Sequence, residues 1–343
     1  MSLHFSEVFP SSTTRIEKIK AFLQRMALDF AEDVESFVIA KEDDAIVACG
    51  GLAGKVLKNI AIDPSHQGSG LALGLMSELL KVAFQKGRQE LFLFTKPEYE
   101  EVFESCGFKY IEHANHHVIL MENSYNIDLY KKRLRKSKHT GDVVGSLVMN
   151  CNPFTLGHRY LVEEACKRSH WVHLFVVKED ASFFSYKDRY RLICEGLEDL
   201  KNLTIHEGSD YIISKATFPT YFIKDKGQID SLYTALDVRI FRNHLAPQLG
   251  ITHRFVGKEP LCVVTNEYNQ QMKHHLSTPS EFPSIALVEL DRIMYAGEPI
   301  SASRVRVLMQ ERRLEEIAHL VPSSTYALIA EMISKEEANE QTN

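Results

Sequence analysis

Two short stretches carry residue types suited to holding a chain of phosphates. The first, Asn152-Pro153-Phe154-Thr155-Leu156-Gly157-His158, follows an apolar run at residues 143–149 that reads as a buried strand. It opens a helix whose apolar side is Leu161, Val162, Ala165 and Cys166. The second, Ile300-Ser301-Ala302-Ser303-Arg304-Val305-Arg306, opens another helix with Val305, Leu308 and Met309 on one side. A helix N-terminus offers N–H groups and the positive end of the helix dipole, so it attracts anions. Two such ends, each with small polar residues and a cation, suit a triphosphate. Gly157 lets backbone approach phosphate, and His158 can donate to charge that builds there. Arg306, one turn into its helix, can pair phosphate oxygens bidentately.

The elements that must position these residues are legible as alternating strands and helices. Residues 171–177, 203–206, 253–257 and 284–290 read as strands, and 187–197 as a helix. Such alternation predicts a doubly wound parallel sheet covered on both faces, with ligands at the carboxyl ends of its strands. Asn152, Thr155, Gly257 and Ser301 each fall just after a predicted strand. Lys178, at the end of the second strand, and Lys187 and Arg189, after Phe184-Ser185, are further phosphate candidates.

The front of the chain holds a different loop. Residues 56–63 read as a strand that runs into Pro64-Ser65-His66-Gln67-Gly68-Ser69-Gly70-Leu71-Ala72 and then an amphipathic helix over 73–84. A strand at Leu91-Phe92-Leu93-Phe94-Thr95, a helix, and Cys106-Gly107-Phe108 follow.

The pair Thr155-Leu156-Gly157-His158 and Ile300-Ser301-Ala302-Ser303-Arg304-Val305-Arg306 resembles the signature of the HxGH nucleotidyltransferase superfamily in its T-x-G-H form. Pantetheine-phosphate adenylyltransferases look like this around Thr155 and His158. The resemblance implies a Rossmann-like domain that binds ATP, with magnesium on the phosphates, and lets a nucleophile attack the α-phosphorus. In that reading His158, Thr155 and Arg306 are catalytic. Asn152, Phe154, Gly157, Lys178, Lys187, Arg189, Gly257, Ser301 and Ser303 bind ATP, and Gly257-Lys258-Glu259 lies by the adenosine.

Gln67, Gly70 and Ala72 fit the Q-x-x-G-x-[GA] loop of GNAT-type acetyltransferases, an α+β fold in which such a loop holds the pyrophosphate of coenzyme A. The implied binding set is Gln67, Gly68, Ser69, Gly70, Leu71 and Ala72. One residue departs from that pattern. Phe103 stands where the general-acid tyrosine is often found, four residues before Gly107, and Tyr99 lies a turn earlier. The order of the two modules, with Arg254-Phe255-Val256-Gly257-Lys258-Glu259-Pro260, resembles the [citrate (pro-3S)-lyase] ligase family over nearly the whole chain. That resemblance implies acetylation of a thiol on the citrate lyase acyl carrier subunit, whose prosthetic group derives from dephospho-CoA. Acetate and ATP are consumed, and acetyl-adenylate is the intermediate. Two other readings stay open on the residues. One is an acetyltransferase fused to a pantetheine-phosphate or nicotinamide-nucleotide type adenylyltransferase. The other is a scaffold that binds ATP without turnover.

Composition sets bounds without any family. The 343 residues suit two domains, and 44% apolar content is enough for real cores. Expected divisions are 1–125, a basic linker at 126–141 with room for a short helix, a second domain at 142–334 and a polar, frayed tail at 335–343. The net charge of −6 argues against general nucleic-acid binding. The apolar runs are too short for a membrane span, and residues 1–5 show no charged-then-apolar signal, so a cytoplasmic protein is expected. The six cysteines lack C-x-x-C spacing and read as reduced thiols. His113, His116 and His117 fit no ordinary metal spacing, and no metal site is expected.

Overall fold

The computed structural model describes residues 3–178, 183–214, 226–258 and 263–342; the side chains of 226–231, 233, 263–268 and 339–342 are outside that description. Glu259, Pro260 and one of the six cysteines, Cys262, also lie outside the described residues. The chain divides into two compact units, Met1–Lys131 with Lys215–Ile240, and Lys132–Ser214 with Phe241–Asn343. Among the described residues no helix is long and apolar enough to cross a membrane.

The first unit contains β1 (His4–Val8), α1 (Thr13–Arg25), β2 (Ser36–Glu42), β3 (Ala45–Ala53), β4 (Val56–Ile62), α2 (Leu71–Gln85), β5 (Phe92–Thr95), α3 (Glu100–Ser105), β6 (Lys109–Asn115) and β7 (Val118–Glu122). They form one sheet in the order β1-β2-β3-β4-β5-β7-β6. Its pairs are antiparallel except β4 with β5. That parallel pair is in register at Val56↔Phe92 and Leu57↔Leu93, near the amino ends of both strands. β4 then runs on toward the Gln67–Gly70 loop. Leu71, Leu75, Met76, Leu79, Val82 and Ala83 of α2 recur at helical spacing and are buried on the sheet with Val38, Val47, Leu57 and Leu93. Phe103 belongs to the same core, 8% exposed, whereas Tyr99 is 42% exposed.

The rest of the chain contains α4 (Asn126–Arg135), β8 (Val144–Met149), α5 (Leu156–Lys167), β9 (Trp171–Val176), α6 (Tyr186–Gly196), β10 (Leu203–His206), α7 (Lys226–Ile240), α8 (Ala246–Leu249), β11 (His253–Gly257), α9 (Val263–Ser277), β12 (Ala286–Leu290), β13 (Met294–Tyr295), β14 (Glu298–Pro299), α10 (Ala302–Gln310), α11 (Leu314–Ile317) and α12 (Ser323–Thr342); all belong to the second unit except α7, which groups with the first, and α4, which spans the division. Five parallel strands lie in the order β10-β9-β8-β11-β12. The chain winds outward from β8 through β9 to β10, then returns to the other side of β8 with β11 and β12. β8 and β11 therefore flank the switch point, where an open parallel sheet leaves a crevice at its carboxyl edge.

The layout differs from expectation at its boundaries. The basic segment 126–141, expected as a charged connector with room for a short helix, contains α4, whose Ile127, Tyr130 and Leu134 are buried at helical spacing. The basic run is largely the wet side of that helix. The tail at 335–342 continues α12. Within 142–334, Lys215–Ile240 groups with the first unit, because α7 lies against β6, the outer strand of the first sheet. There Arg239 Nη1 donates to His113 Nε2 at 2.6 Å. An uncovered strand edge is a liability, and a helix from later in the chain covers this one.

Candidate active site

The amino end of α5 stands over the switch point. Thr155 caps it with extended backbone (φ −122°, ψ 166°), and its Oγ1 accepts from the N–H of His158 at 3.3 Å. His158 closes the box in return, its Nδ1 accepting from the N–H of Thr155 at 3.1 Å. Because Nδ1 is an acceptor, the proton of the neutral ring sits on Nε2. The ring borders the cavity and is partly buried. Burial first, and the charge of Arg292 second, push its pKa down to about 4. Near neutral pH, His158 is thus an uncharged Nε2–H donor.

Gly157 has a structural use that the sequence did not suggest. A Cβ there would stand 2.7 Å from the carbonyl oxygen of Ile300. Only glycine allows α5 and the segment leading into α10 to meet so closely, and this contact brings the two helix N-termini together. Leu156 N–H adds a bond to Leu320 O at 2.9 Å. Ser301 caps α10, its Oγ accepting from Arg304 N–H at 3.1 Å. Ser301 follows the small β13–β14 hairpin rather than a strand of the parallel sheet.

The predicted residues separate into those at the cavity and those beneath it. Thr155, Gly157, His158, Gly257, Ser301 and Ser303 line one cavity of about 420 Å³. Arg306 reaches from α10 to donate Nη1 to the carbonyl of Asn152 and Nη2 to Ser303 Oγ, the latter at 3.1 Å. Asn152 Oδ1 accepts from Phe184 N–H at 3.0 Å. Phe154 is 0% exposed and packs in the core of the unit against the ring of His158, so it supports the site from behind. Lys178 is exposed, 4.0 Å from Asp210, and Lys187 is exposed on α6; neither lines the cavity.

Arg189 does not face a phosphate site. It is 0% exposed. Its Nη1 donates to Asn150 O at 2.7 Å, Asn150 Oδ1 at 2.8 Å and Val177 O at 2.9 Å, and its Nε to Phe184 O at 3.2 Å. A basic residue near a predicted site reads as a phosphate ligand in sequence. Here it ties the carboxyl ends of β8 and β9 together.

Several cavity residues were not anticipated. Asn269 and Met272 of α9 form one wall, and Asn269 Nδ2 donates to Gly257 O at 3.3 Å. Arg254 is 4% exposed, with its guanidinium 4.4 Å from the centre of the Phe241 ring. Arg292 follows β12, and its Nε donates to Lys258 O at 3.0 Å. Among the described lining residues the formal charges are these two arginines, with no Asp or Glu. Such a cavity suits anions. Lys258 itself pairs with Asp291 at 2.8 Å. Arg254 and Lys258 stand in the quoted Arg254–Pro260 motif, while Arg292, between a strand and a hairpin, carries no local signature.

In the first unit, Gln67, Gly68, Ser69 and Gly70 are exposed and Leu71 is buried as the anchor of α2. Gly68 and Gly70 have φ of +78° and +77°, where a side chain would be strained, and a Cβ at either would meet nothing within 4 Å. The loop therefore presents open backbone at a helix N-terminus. Ser69 Oγ is engaged with His66 O at 2.5 Å. Among the described residues no cluster of His, Cys, Asp or Glu could hold a metal ion.

Comparison with known proteins gives matches to both units. Residues 144–329 match the citrate lyase ligase C-terminal domain family, and residues 4–108 match the acetyltransferase (GNAT) family. A [citrate [pro-3S]-lyase] ligase of Klebsiella pneumoniae is 49% identical over 323 residues, 94% of each chain. One from Escherichia coli (strain K12) is 47% identical over 323 residues, 94% of this chain and 92% of that one. A solved acyl-CoA N-acyltransferase from Pseudomonas aeruginosa is similar over 36% of this chain and 100% of its own, with 15% identity and a TM-score of 0.32.

Proposed function

This chain belongs to the citrate lyase ligase family, and from that premise we propose a two-step reaction: acetate and ATP form acetyl-adenylate, and the thiol of the carrier's CoA-like group then takes the acetyl. The observation that carries this reading is the junction of two helix N-termini at the switch point, with His158 held beside it as a neutral Nε2–H donor.

A carboxylate oxygen of acetate attacks the α-phosphorus of ATP. A new phosphorus–oxygen bond forms, the bond to the bridging oxygen of the β-phosphate breaks, and pyrophosphate leaves with that electron pair. No proton is transferred. His158 Nε2–H and Thr155 meet the charge on the α-phosphate. The amino end of α10, with Ser301 and Ser303, holds the β- and γ-phosphates. Arg306 fixes α10 to the Asn152 loop and adds charge beside them. Positioning and preorganised electrostatics supply most of the rate in such a step. Magnesium, when bound, neutralises phosphate charge. With no carboxylate among the described lining residues, it would be carried by the phosphates rather than by an acidic protein site.

In the second step the carrier's thiolate attacks the acetyl carbon, and AMP leaves with the carboxyl oxygen that linked it. The residues Gln67, Gly68, Ser69, Gly70, Leu71 and Ala72 hold the pyrophosphate of the dephospho-CoA-derived arm by backbone N–H groups. A thiol nucleophile must lose a proton and needs no acid for a leaving thiolate, which accords with Phe103 serving as core. ATP and a free thiol as substrates suit a cytoplasmic protein. The test is acetate-dependent exchange of labelled pyrophosphate into ATP, followed by acetyl transfer to deacetylated citrate lyase. Turnover of a phosphopantetheine or nicotinamide mononucleotide without acetate would replace this reading with an ordinary adenylyltransferase.

A further inference from the structure

The reaction brings two anions together, and the devices described so far all serve one of them. His158, Thr155 and the start of α10 face phosphates. The carboxylate also needs a partner, which must stand close to His158, because the attacking oxygen and the α-phosphate oxygens share one phosphorus.

Arg292 meets that requirement. It borders the same cavity as His158. β11 and β12 run in register from His253↔Ala286 to Gly257↔Leu290, and Arg292 and Lys258 lie just past the carboxyl ends of the two. Lys258 N–H donates to Leu290 O at 2.8 Å, and Arg292 Nε donates to Lys258 O at 3.0 Å. The guanidinium is thereby held through Nε on the sheet's own rim. Its charge reaches His158, where it opposes protonation of the ring. We propose that Arg292 binds the carboxylate of the acyl substrate and presents it to the α-phosphorus beside His158. A guanidinium matches a carboxylate in shape and charge, and it offsets the repulsion between carboxylate and phosphate. The cavity's other cation, Arg254, is stacked on Phe241 and 4% exposed, and acts as a wall.

This assignment rests on the adenylate-forming reading of the site, and its test separates the two. Wild-type protein, Arg292→Lys and Arg292→Gln are compared in pyrophosphate release with acetate, ATP and deacetylated citrate lyase. Binding of a non-hydrolysable α,β-methylene ATP is measured on each. Arg292→Gln should raise the KM for acetate about ten- to a hundredfold, the worth of a charge-assisted pair, with Arg292→Lys between. Affinity for the ATP analogue should change less than about twofold, which also shows that the variants fold. Loss of analogue affinity at unchanged acetate KM would make Arg292 a phosphate ligand and overturn the proposal. So would an acetate defect in Arg254→Gln with none in Arg292→Gln. If wild-type protein releases no pyrophosphate with acetate, the functional reading fails first. Acetate binding to the analogue complex, followed by saturation-transfer NMR, then decides the role of Arg292 alone: binding to wild type that Arg292→Gln retains would refute it.

Discussion

His158 shows how a capping interaction becomes chemistry. The bond from Thr155 N–H to Nδ1 consumes the ring's acceptor and leaves Nε2–H as donor. Burial keeps the ring neutral down to about pH 4. In pyrophosphate exchange, kcat/KM for ATP follows ionisations of the free protein and should therefore show no acid limb from this residue between pH 8 and 5. Stability should respond earlier. An unfolded histidine takes up its proton near 6.5, whereas the folded ring resists until about 4. In that window the unfolded chain binds more protons, so stability is full above about 6.5 and falls as pH drops toward 4, by roughly 3 kcal/mol at most. Thermal midpoints across this range should fall less steeply in His158→Gln. Arg189 teaches the opposite lesson about charge. Removing its side chain would take the donor from the carbonyls of Asn150 and Val177, at the ends of β8 and β9, and from that of Phe184 ahead of α6. Arg189→Ala should cost about 3 kcal/mol or more in denaturant unfolding, while exposed Lys187→Ala should stay within about 0.5 kcal/mol. Equal losses for both would contradict the burial argument.

At the scale of elements, the strands were read closely because each carries its own signal. β10 and β11 fall at 203–206 and 253–257 as expected, and α6 begins one residue before the expected helix. Apolar periodicity is local, and so is a capping residue. The joining of α5 to the Ile300 segment is not local, and it gives Gly157, which also lines the cavity, a second reason to be glycine: an added Cβ would stand 2.7 Å from Ile300 O. Asn269, Met272 and Arg292 carry no such local signal: the cavity they share exists only after β11, α9 and β12 are placed beside β8. Gly157→Ala tests the junction. The methyl must push backbone rather than a flexible tip, so a cost of about 1–3 kcal/mol is expected with a large loss of exchange. Gly68→Ala meets no atom and suffers φ strain alone, about 1 kcal/mol, so it should leave exchange intact. Similar exchange in both variants would show that the two helix ends need not touch.

At the scale of the whole molecule, the proposed reaction assigns one step to each of two units, which follow one another in sequence except where α7 groups with the first. The basic run at 131–139 left room for a short helix in sequence, but charge hides where that helix starts: its buried stripe is three residues, Ile127, Tyr130 and Leu134, two of them before the run. α7 could not be assigned from order along the chain, since it lies against β6 of the first unit although the sequence around it reads as part of the second domain. The division makes a prediction that neither unit makes alone. If the first unit only receives the carrier's arm, a lesion in its loop should spare adenylate formation. Gly70 caps α2 at φ +77° with open space around it. Aspartate is among the side chains that best tolerate this backbone, and it would set a negative charge where the arm's pyrophosphate must sit. Gly70→Asp should retain acetate-dependent pyrophosphate exchange within about twofold. Acetyl transfer to deacetylated citrate lyase should fall about a hundredfold or more, as expected when an anion site at a helix N-terminus is reversed in sign. Full transfer by a folded Gly70→Asp protein would mean that the arm enters elsewhere. Loss of exchange along with transfer would mean that the two steps share one site and that the loop's distance in sequence from His158 misleads.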